Sequence, residues 1–173
     1  MQNNNDPADE DAERRRRFLE DGAAVRAEVI DQYPTVTPRL AVPTPLPVQL
    51  PDTIDVSERL ERDDEVEAVI TLEFPQVEHV PDLGLLVFVN TARAGADTPT
   101  SAPGFLGTIN FFHDHGHQHP TTVRLPARRA IVGTAPPGPI EVTLVPVAVP
   151  GRRLPAEALD VRTHLELVRA TVG

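Results

Sequence analysis

Four of the six histidines in this 173-residue chain occur at every second position: His113, His115, His117 and His119. In an extended chain, alternate side chains share one face and lie about 6.6 Å apart. Two imidazoles at that spacing can converge on one metal ion, and neutral imidazole suits copper, zinc and nickel. The row is therefore a candidate metal site, transient or structural. A solvated strand end without a ligand and a pH-sensing patch are the alternatives.

The apolar residues ahead of the row share its parity, because Phe105, Ile109 and Phe111 also occupy odd positions. A straight strand from the first of them to the last histidine would run about 46 Å, far beyond the length of a usual strand. We therefore expect the row to leave the sheet at its rim and to enter a loop at Gly116 or Pro120. That placement would expose the imidazoles.

Other catalytic signatures are missing from the sequence. It contains no glycine-rich phosphate loop, no nucleophile elbow and no H-E-x-x-H motif. Ser57 and Ser101 are the only serines and lack nucleophile context, and the absence of cysteine excludes disulfides and thiolate chemistry. His79 and His164 stand singly, as expected for surface or hydrogen-bonded structural histidines. We expect no enzymatic activity; a metal-dependent oxidase built on the histidine row is the remaining catalytic alternative.

The charge and hydropathy of the chain argue against two classes of partner, nucleic acids and membranes. A net charge of −10 argues against nucleic-acid binding, which needs a basic surface. No apolar run approaches the ~20 residues of a membrane span, so we expect no membrane partner. Residues 15–19 imitate part of a twin-arginine export signal, but Glu20, Asp21 and Gly22 follow where such a signal needs an apolar stretch. We therefore expect no export signal and a cytoplasmic location, with co-export alongside a partner as the alternative.

The first 51 residues predict two segments outside the main domain. Residues 1–33 predict a polar tail and an amphipathic helix over 7–32, which Asp6 and Pro7 would begin. The charges of residues 9–17 suit ion pairs along this helix, with a docking helix for a partner as the alternative. Residues 34–51 carry six prolines and predict an extended strap without regular elements.

Residues 52–173 predict the folded domain. Period-two alternation and short apolar runs, separated by segments rich in proline, glycine, aspartate and threonine, are typical of strands. The clearest runs are Val66–Phe74, Leu85–Val89, Phe105–Phe111, Thr121–Leu125, Ile140–Val147 and Leu159–Leu167. About eight short strands at this spacing predict a mostly β fold, an antiparallel, jelly-roll-like β-sandwich.

Several short motifs follow one another in a fixed order along about 100 residues. They are Pro45-Leu46-Pro47-Val48, Thr53-Ile54-Asp55-Val56, Val87-Phe88-Val89-Asn90, Gly104 to Asn110 with the histidine row, Thr122-Val123-Arg124-Leu125, and Val142-Thr143-Leu144-Val145-Pro146. From Pro45 to Val149 the chain resembles the C-terminal domain of plant-type polyphenol oxidases, the tyrosinases and catechol oxidases. That domain is named after a Lys-Phe-Asp-Val motif.

The resemblance implies a covering domain and not an oxidase. In the family, this sandwich covers the entrance to the dicopper site and holds the enzyme latent until it is removed or displaced. The chain has no counterpart of the catalytic domain, whose six copper-binding histidines lie on helices. The Lys, Phe and Asp of the naming motif align with Gly84, Leu85 and Leu86, so any salt link made by that aspartate is missing.

Two functional hypotheses follow. The first is a non-catalytic accessory module that binds a separately encoded tyrosinase-like copper oxidase, shields its active site and handles copper through His113 to His119. The second is a stand-alone structural or protein-interaction sandwich without a physiological metal, in which the N-terminal helix and the strap dock onto another protein.

A covering domain needs a residue that reaches into the partner's pocket. The polar, proline-bearing loop of residues 92–105 suits a protruding role. Phe105, at its far end, is our candidate for a plug in the partner's site; an ordinary core aromatic is the alternative. Asn90 and Arg124 match family positions, where we expect them to support strand ends.

Overall fold

The structure is a computed structural model that describes residues 26–75, 83–111, 121–134 and 138–171. Ten strands and two short helices follow one another in these ranges. They are β1 (Arg26–Gln32), β2 (Arg39–Ala41), β3 (Leu46–Gln49), α1 (Val56–Arg62), β4 (Val66–Phe74), β5 (Leu83–Val89), β6 (Phe105–Phe111), β7 (Thr121–Pro126), α2 (Arg128–Thr134), β8 (Glu141–Ala148), β9 (Ala158–Asp160) and β10 (Arg162–Thr171).

The strands form two four-stranded sheets and one small pair. The first sheet has the order β1-β10-β4-β7, the second sheet has the order β3-β8-β5-β6, and β2 pairs with β9. All of these pairings are antiparallel. The prediction of a mostly β, antiparallel sandwich is confirmed. In the first sheet, Arg26 lies opposite Thr171, so the first and last described strands run side by side.

The main core lies between the two sheets. In β4 the even-numbered side chains from Val66 to Phe74 face this core, and in β10 Leu165 and Leu167 join them. From the second sheet, β5 contributes Leu83, Leu85 and Val87 on alternate positions. Period-two burial of this kind arises because successive side chains of a strand point to opposite faces.

A second, smaller cluster lies on the outer face of the second sheet. Phe88 is fully buried there, with Val145 of β8 and with Ala94 of the β5–β6 loop. Leu86 and Phe105 pack partly buried around them. Both faces of β5 are thus covered, which explains why its sequence is a continuous apolar run and not an alternating one.

The predicted helix over residues 7–32 is wrong for residues 26–32, which form β1; residues 7–25 lie outside the described residues. Strand β1 pairs with β10 along its length, and Arg59 of α1 donates hydrogen bonds to the Asp31 carboxylate and to the Tyr33 hydroxyl. Burial raises the pKa of Tyr33. The apolar spacing of these residues favours a helix, but they form a strand because they pair with β10, more than 130 residues away in the sequence.

The proline-rich strap also contains regular structure, contrary to the sequence prediction. Residues 39–41 form β2 and residues 46–49 form β3, an edge strand that pairs with β8. An edge strand can accept Pro47 because one side of its backbone needs no partner. Leu40, Val48 and Leu50 are buried, so the segment supplies core residues as well as connection.

Helices α1 and α2 are linked by Arg128. Its guanidinium donates to the backbone carbonyl oxygens of Leu60 at 2.5 Å, Asp63 at 2.8 Å and Val66 at 2.6 Å. The backbone N–H of Arg128 donates to Glu67 Oε1 at 2.9 Å. Desolvation raises the pKa of Glu67, although this hydrogen bond and one from the N–H of Ala68 oppose the shift. Neither described helix has the length and hydrophobicity needed to cross a membrane.

Candidate functional site

Strand β6 positions both of the features that the sequence singles out. It is an edge strand of the second sheet, with Phe105 as its first residue and Phe111 as its last, just ahead of the histidine row. A strand rises about 3.3 Å per residue, so these two ends lie about 20 Å apart. The candidate plug and the last described residue before the histidine row therefore lie at opposite ends of one strand.

The histidine row itself lies in residues 112–120, outside the described residues, but both of its flanks are defined. Phe111 is buried in the core, with its ring in edge-to-face contact with the Phe74 ring at a centroid distance of 4.9 Å. Thr121 begins β7 and lies opposite Phe74. The row thus connects the edge of the second sheet to the edge of the first.

The sequence predicts that odd-numbered side chains share one face, and the part of β6 that precedes the histidine row shows this alternation. Ile109 and Phe111 face the core, whereas Thr108 and Asn110 are exposed. The odd positions just ahead of the histidines are therefore the inward ones. Exposure of the imidazoles and metal binding by His113, His115, His117 and His119 stay predictions.

Phe105 does not share this parity, so that part of the sequence prediction is wrong. The pairing of β5 with β6 shifts between Val87 and Phe88, where Gly107 lies opposite Val87 but Phe105 lies opposite Phe88. This irregularity turns Phe105 to the outer face. Its ring is half-buried against the Phe88 ring, 5.5 Å between centroids, in the outer cluster and not in the main core. Its role as a plug stays a prediction.

The loop between β5 and β6 is held by its own hydrogen bonds. The backbone N–H of Val89 donates to the Gly104 carbonyl at 2.7 Å and closes the loop at its base. A Cβ atom on Gly104 would lie 2.1 Å from the Val89 carbonyl oxygen and 2.2 Å from the Thr91 hydroxyl. Only glycine allows this close approach, and the loop is consequently fixed to the end of β5.

Asn90 supports a strand end, as expected for a structural residue. Its backbone adopts φ of 49°, a left-handed conformation that asparagine tolerates better than most residues. Its side-chain oxygen accepts from the N–H of Glu141 at 3.0 Å, and its amide group donates to the Thr134 hydroxyl at 3.0 Å. Asn90 thereby joins the end of β5 to the start of β8 and the end of α2.

Arg124 lies in β7, where its guanidinium contacts the Glu166 carboxylate of β10 at 3.3 Å. His164 Nε2 lies 3.2 Å from the same carboxylate group, so this single histidine is a hydrogen-bonded structural residue, as expected. His79 lies outside the described residues. Within the described ranges, no group of three or more histidine, aspartate or glutamate side chains is arranged to hold a metal ion.

A groove that the sequence analysis missed opens between β6 and β7, the edge strands of the two sheets. It has a volume of about 490 Å³ and is lined by Thr100, Ser101, Ala102, Pro103, Phe105, Leu106, Leu125, Pro126, Arg129 and Ala130. No motif marks these residues, because they come from three separate segments. The only local signal is the pair of consecutive arginines that begins α2.

Comparison of the sequence with protein-family profiles and with curated proteins gives no match. Solved structures do match. A recombinantly expressed latent aurone synthase, a polyphenol oxidase, aligns with a TM-score of 0.52 and 22% identity over 76% of this chain and 25% of that chain. A latent aurone synthase co-crystallised with hexatungstotellurate(VI) gives a TM-score of 0.53 and 20% identity over 87% and 29% of the two chains.

Latent aurone synthase from its natural source aligns with a TM-score of 0.50 and 21% identity over 74% of this chain. This chain spans about a quarter of the length of these polyphenol oxidases. The resemblance to the family's C-terminal domain is thereby confirmed at the level of the fold. The chain has the fold of one C-terminal-domain-like part of a polyphenol oxidase.

Proposed function

We propose that this chain is a non-catalytic accessory module that covers the active site of a separately encoded tyrosinase-like copper oxidase. The observation that carries the proposal is the shared fold with about a quarter of a polyphenol oxidase whose structures are described as latent. The family resemblance assigns the covering role to this quarter. The sequence also lacks a counterpart of the family's helix-borne copper ligands.

Copper handling through the histidine row is the second part of the proposal. Four imidazoles at alternate positions form a donor set that suits copper, with zinc and nickel as chemical alternatives. The flanks support it, because β6 ends inside the core at Phe111 and β7 begins at Thr121, so the row is bounded by one strand from each sheet.

The two ends of β6 give the covering role two possible orientations. Phe105 and the β5–β6 loop lie at one end, and Phe111, the last described residue before the histidine row, lies about 20 Å away at the other. One pocket cannot receive both. We favour the histidine end as the surface that faces the oxidase, since the Phe105 ring is already packed on Phe88.

The decisive experiment mixes the purified chain with a tyrosinase-like oxidase encoded beside it and measures diphenol oxidation and co-purification. We expect binding and slower oxidation. Replacing all four histidines of the row with alanine should abolish copper retention, measured by metal analysis, and weaken inhibition. A double variant with His79→Ala and His164→Ala removes imidazoles outside the row and should leave both readouts unchanged.

Phe105→Ala tests the orientation in the same assay. Unchanged inhibition by this variant, together with loss in the quadruple histidine variant, would support the histidine end. Absence of any binding to the oxidase would refute the accessory role. If the quadruple histidine variant still binds the oxidase, and its metal content and its inhibition of diphenol oxidation equal those of the wild type, the stand-alone interaction sandwich would be favoured instead.

A further inference from the structure

The groove between β6 and β7 has the size of a small-molecule site. Its volume of about 490 Å³ lies within the usual range of ligand pockets, roughly 300–1,000 Å³. Phe105 and Leu106 form one apolar wall, and Leu125 and Pro126 form the other. Thr100, Ser101 and Arg129 also line the groove, so it offers polar as well as apolar surface. Such a combination suits a ligand with one apolar part and one polar end.

Arg129 supplies the charge of the groove. The neighbouring Arg128 turns to the protein and donates to three backbone carbonyl oxygens. Arg129 instead lines the groove and is exposed. In the part of the chain that the structure describes, no carboxylate lies within ion-pair distance of its guanidinium. With respect to the described residues, its donors are therefore available to an anion from outside.

The wall of the groove that contains Phe105 is preformed. The Phe105 ring is fixed by its contact with Phe88, 5.5 Å between centroids. Two successive turns shape the loop beside it, because the N–H of Ala102 donates to the Pro99 carbonyl and the N–H of Phe105 donates to the Ala102 carbonyl, both at 3.0 Å. A ligand would therefore bind without first ordering this wall.

We propose that the groove binds a small carboxylate with a flat apolar body. The guanidinium of Arg129 pairs with the carboxylate in a two-pronged geometry, Thr100 and Ser101 offer hydroxyl groups, and the apolar body lies between Phe105 and Leu125. This site is independent of the accessory role proposed above, because it uses neither the histidine row nor a copper oxidase.

The test titrates the purified full chain with 3-phenylpropionate and follows amide chemical shifts by NMR. We expect saturable shifts confined to the loop ahead of β6, the end of β7 and the start of α2. The neutral isostere 3-phenylpropanamide should bind at least about tenfold more weakly, since it cannot form the charged pair. Acetate, which lacks the apolar body, should also bind at least about tenfold more weakly.

Matched arginine variants separate the site from general charge effects. Arg129→Gln should weaken 3-phenylpropionate binding about tenfold or more. Arg153→Gln should not, because this exposed arginine follows β8 near the opposite end of the second sheet. Thermal unfolding of both variants checks that the fold is intact. Equal affinities for acid and amide, an unchanged affinity in Arg129→Gln, or shifts elsewhere in the chain would overturn the proposal.

Discussion

Replacement of Arg128 by methionine should destabilise the chain more than the replacement of any other arginine near α1 and α2. The guanidinium donates three hydrogen bonds to carbonyl oxygens in the last turn of α1 and in the residues just after it. Methionine keeps the apolar part of the side chain but cannot form any of the three. Hydrogen bonds to charged groups contribute roughly 1.5–3 kcal/mol each, although neighbouring ones are not additive. We therefore expect a loss of about 3 kcal/mol in the free energy of unfolding.

For a chain of this size, such a loss corresponds to a fall in Tm of about 6–12 °C. Urea unfolding followed by circular dichroism measures the free energy, and a thermal scan measures Tm. Arg129→Met is the matched control, because this neighbour makes no ion pair within the described residues, and we expect its effect to stay within about 0.5 kcal/mol. Equal losses in the two variants would refute the assignment of stability to the three carbonyl contacts.

Three further changes test the buried carboxyl, the fixed loop and the strand end. Because burial raises the folded-state pKa of Glu67, its contribution to stability falls as the pH rises above the ordinary glutamate pKa of about 4.3. Glu67→Gln should therefore gain stability relative to the wild type as the pH rises above that value, measured by urea titrations at a series of pH values. Gly104→Ala should lower the free energy of unfolding by about 2–3 kcal/mol, because the new Cβ would meet the Val89 carbonyl oxygen. Gly133→Ala is the control, since its Cβ would have open space, and thermal scans should show it to be neutral or stabilising. Asn90→Gly keeps the positive φ but removes two side-chain hydrogen bonds, and we expect urea unfolding to report a loss of about 1–2 kcal/mol; an unchanged value would contradict the structural role of this side chain.

The sandwich could be predicted from sequence because its strands appear as alternating or continuous short apolar runs. The alternation of Val66–Phe74 and of the last strand follows directly from period-two burial. Local spacing could not predict β1, because its pairing partner β10 lies at the other end of the chain. Helices α1 and α2 have seven residues each, too few to show a clear helical period.

The candidate site could be predicted from the sequence less completely than the sandwich. Parity correctly placed Ile109 and Phe111 on one face of β6, but one shift in pairing turned Phe105 to the other face. Such shifts leave no reliable mark in the sequence. The groove was missed because its walls come from the β5–β6 loop, β7 and α2, which only the fold brings together.

The pairing of Arg26 with Thr171 means that chain entry and chain exit share one corner of the domain. A catalytic domain tethered ahead of residue 26 or behind residue 171 would therefore start from nearly the same point in space. Gene fusions in either order, joined by linkers of equal length, would give this domain a similar reach over an attached enzyme. Joining the two ends and opening the chain elsewhere should likewise preserve both sheets.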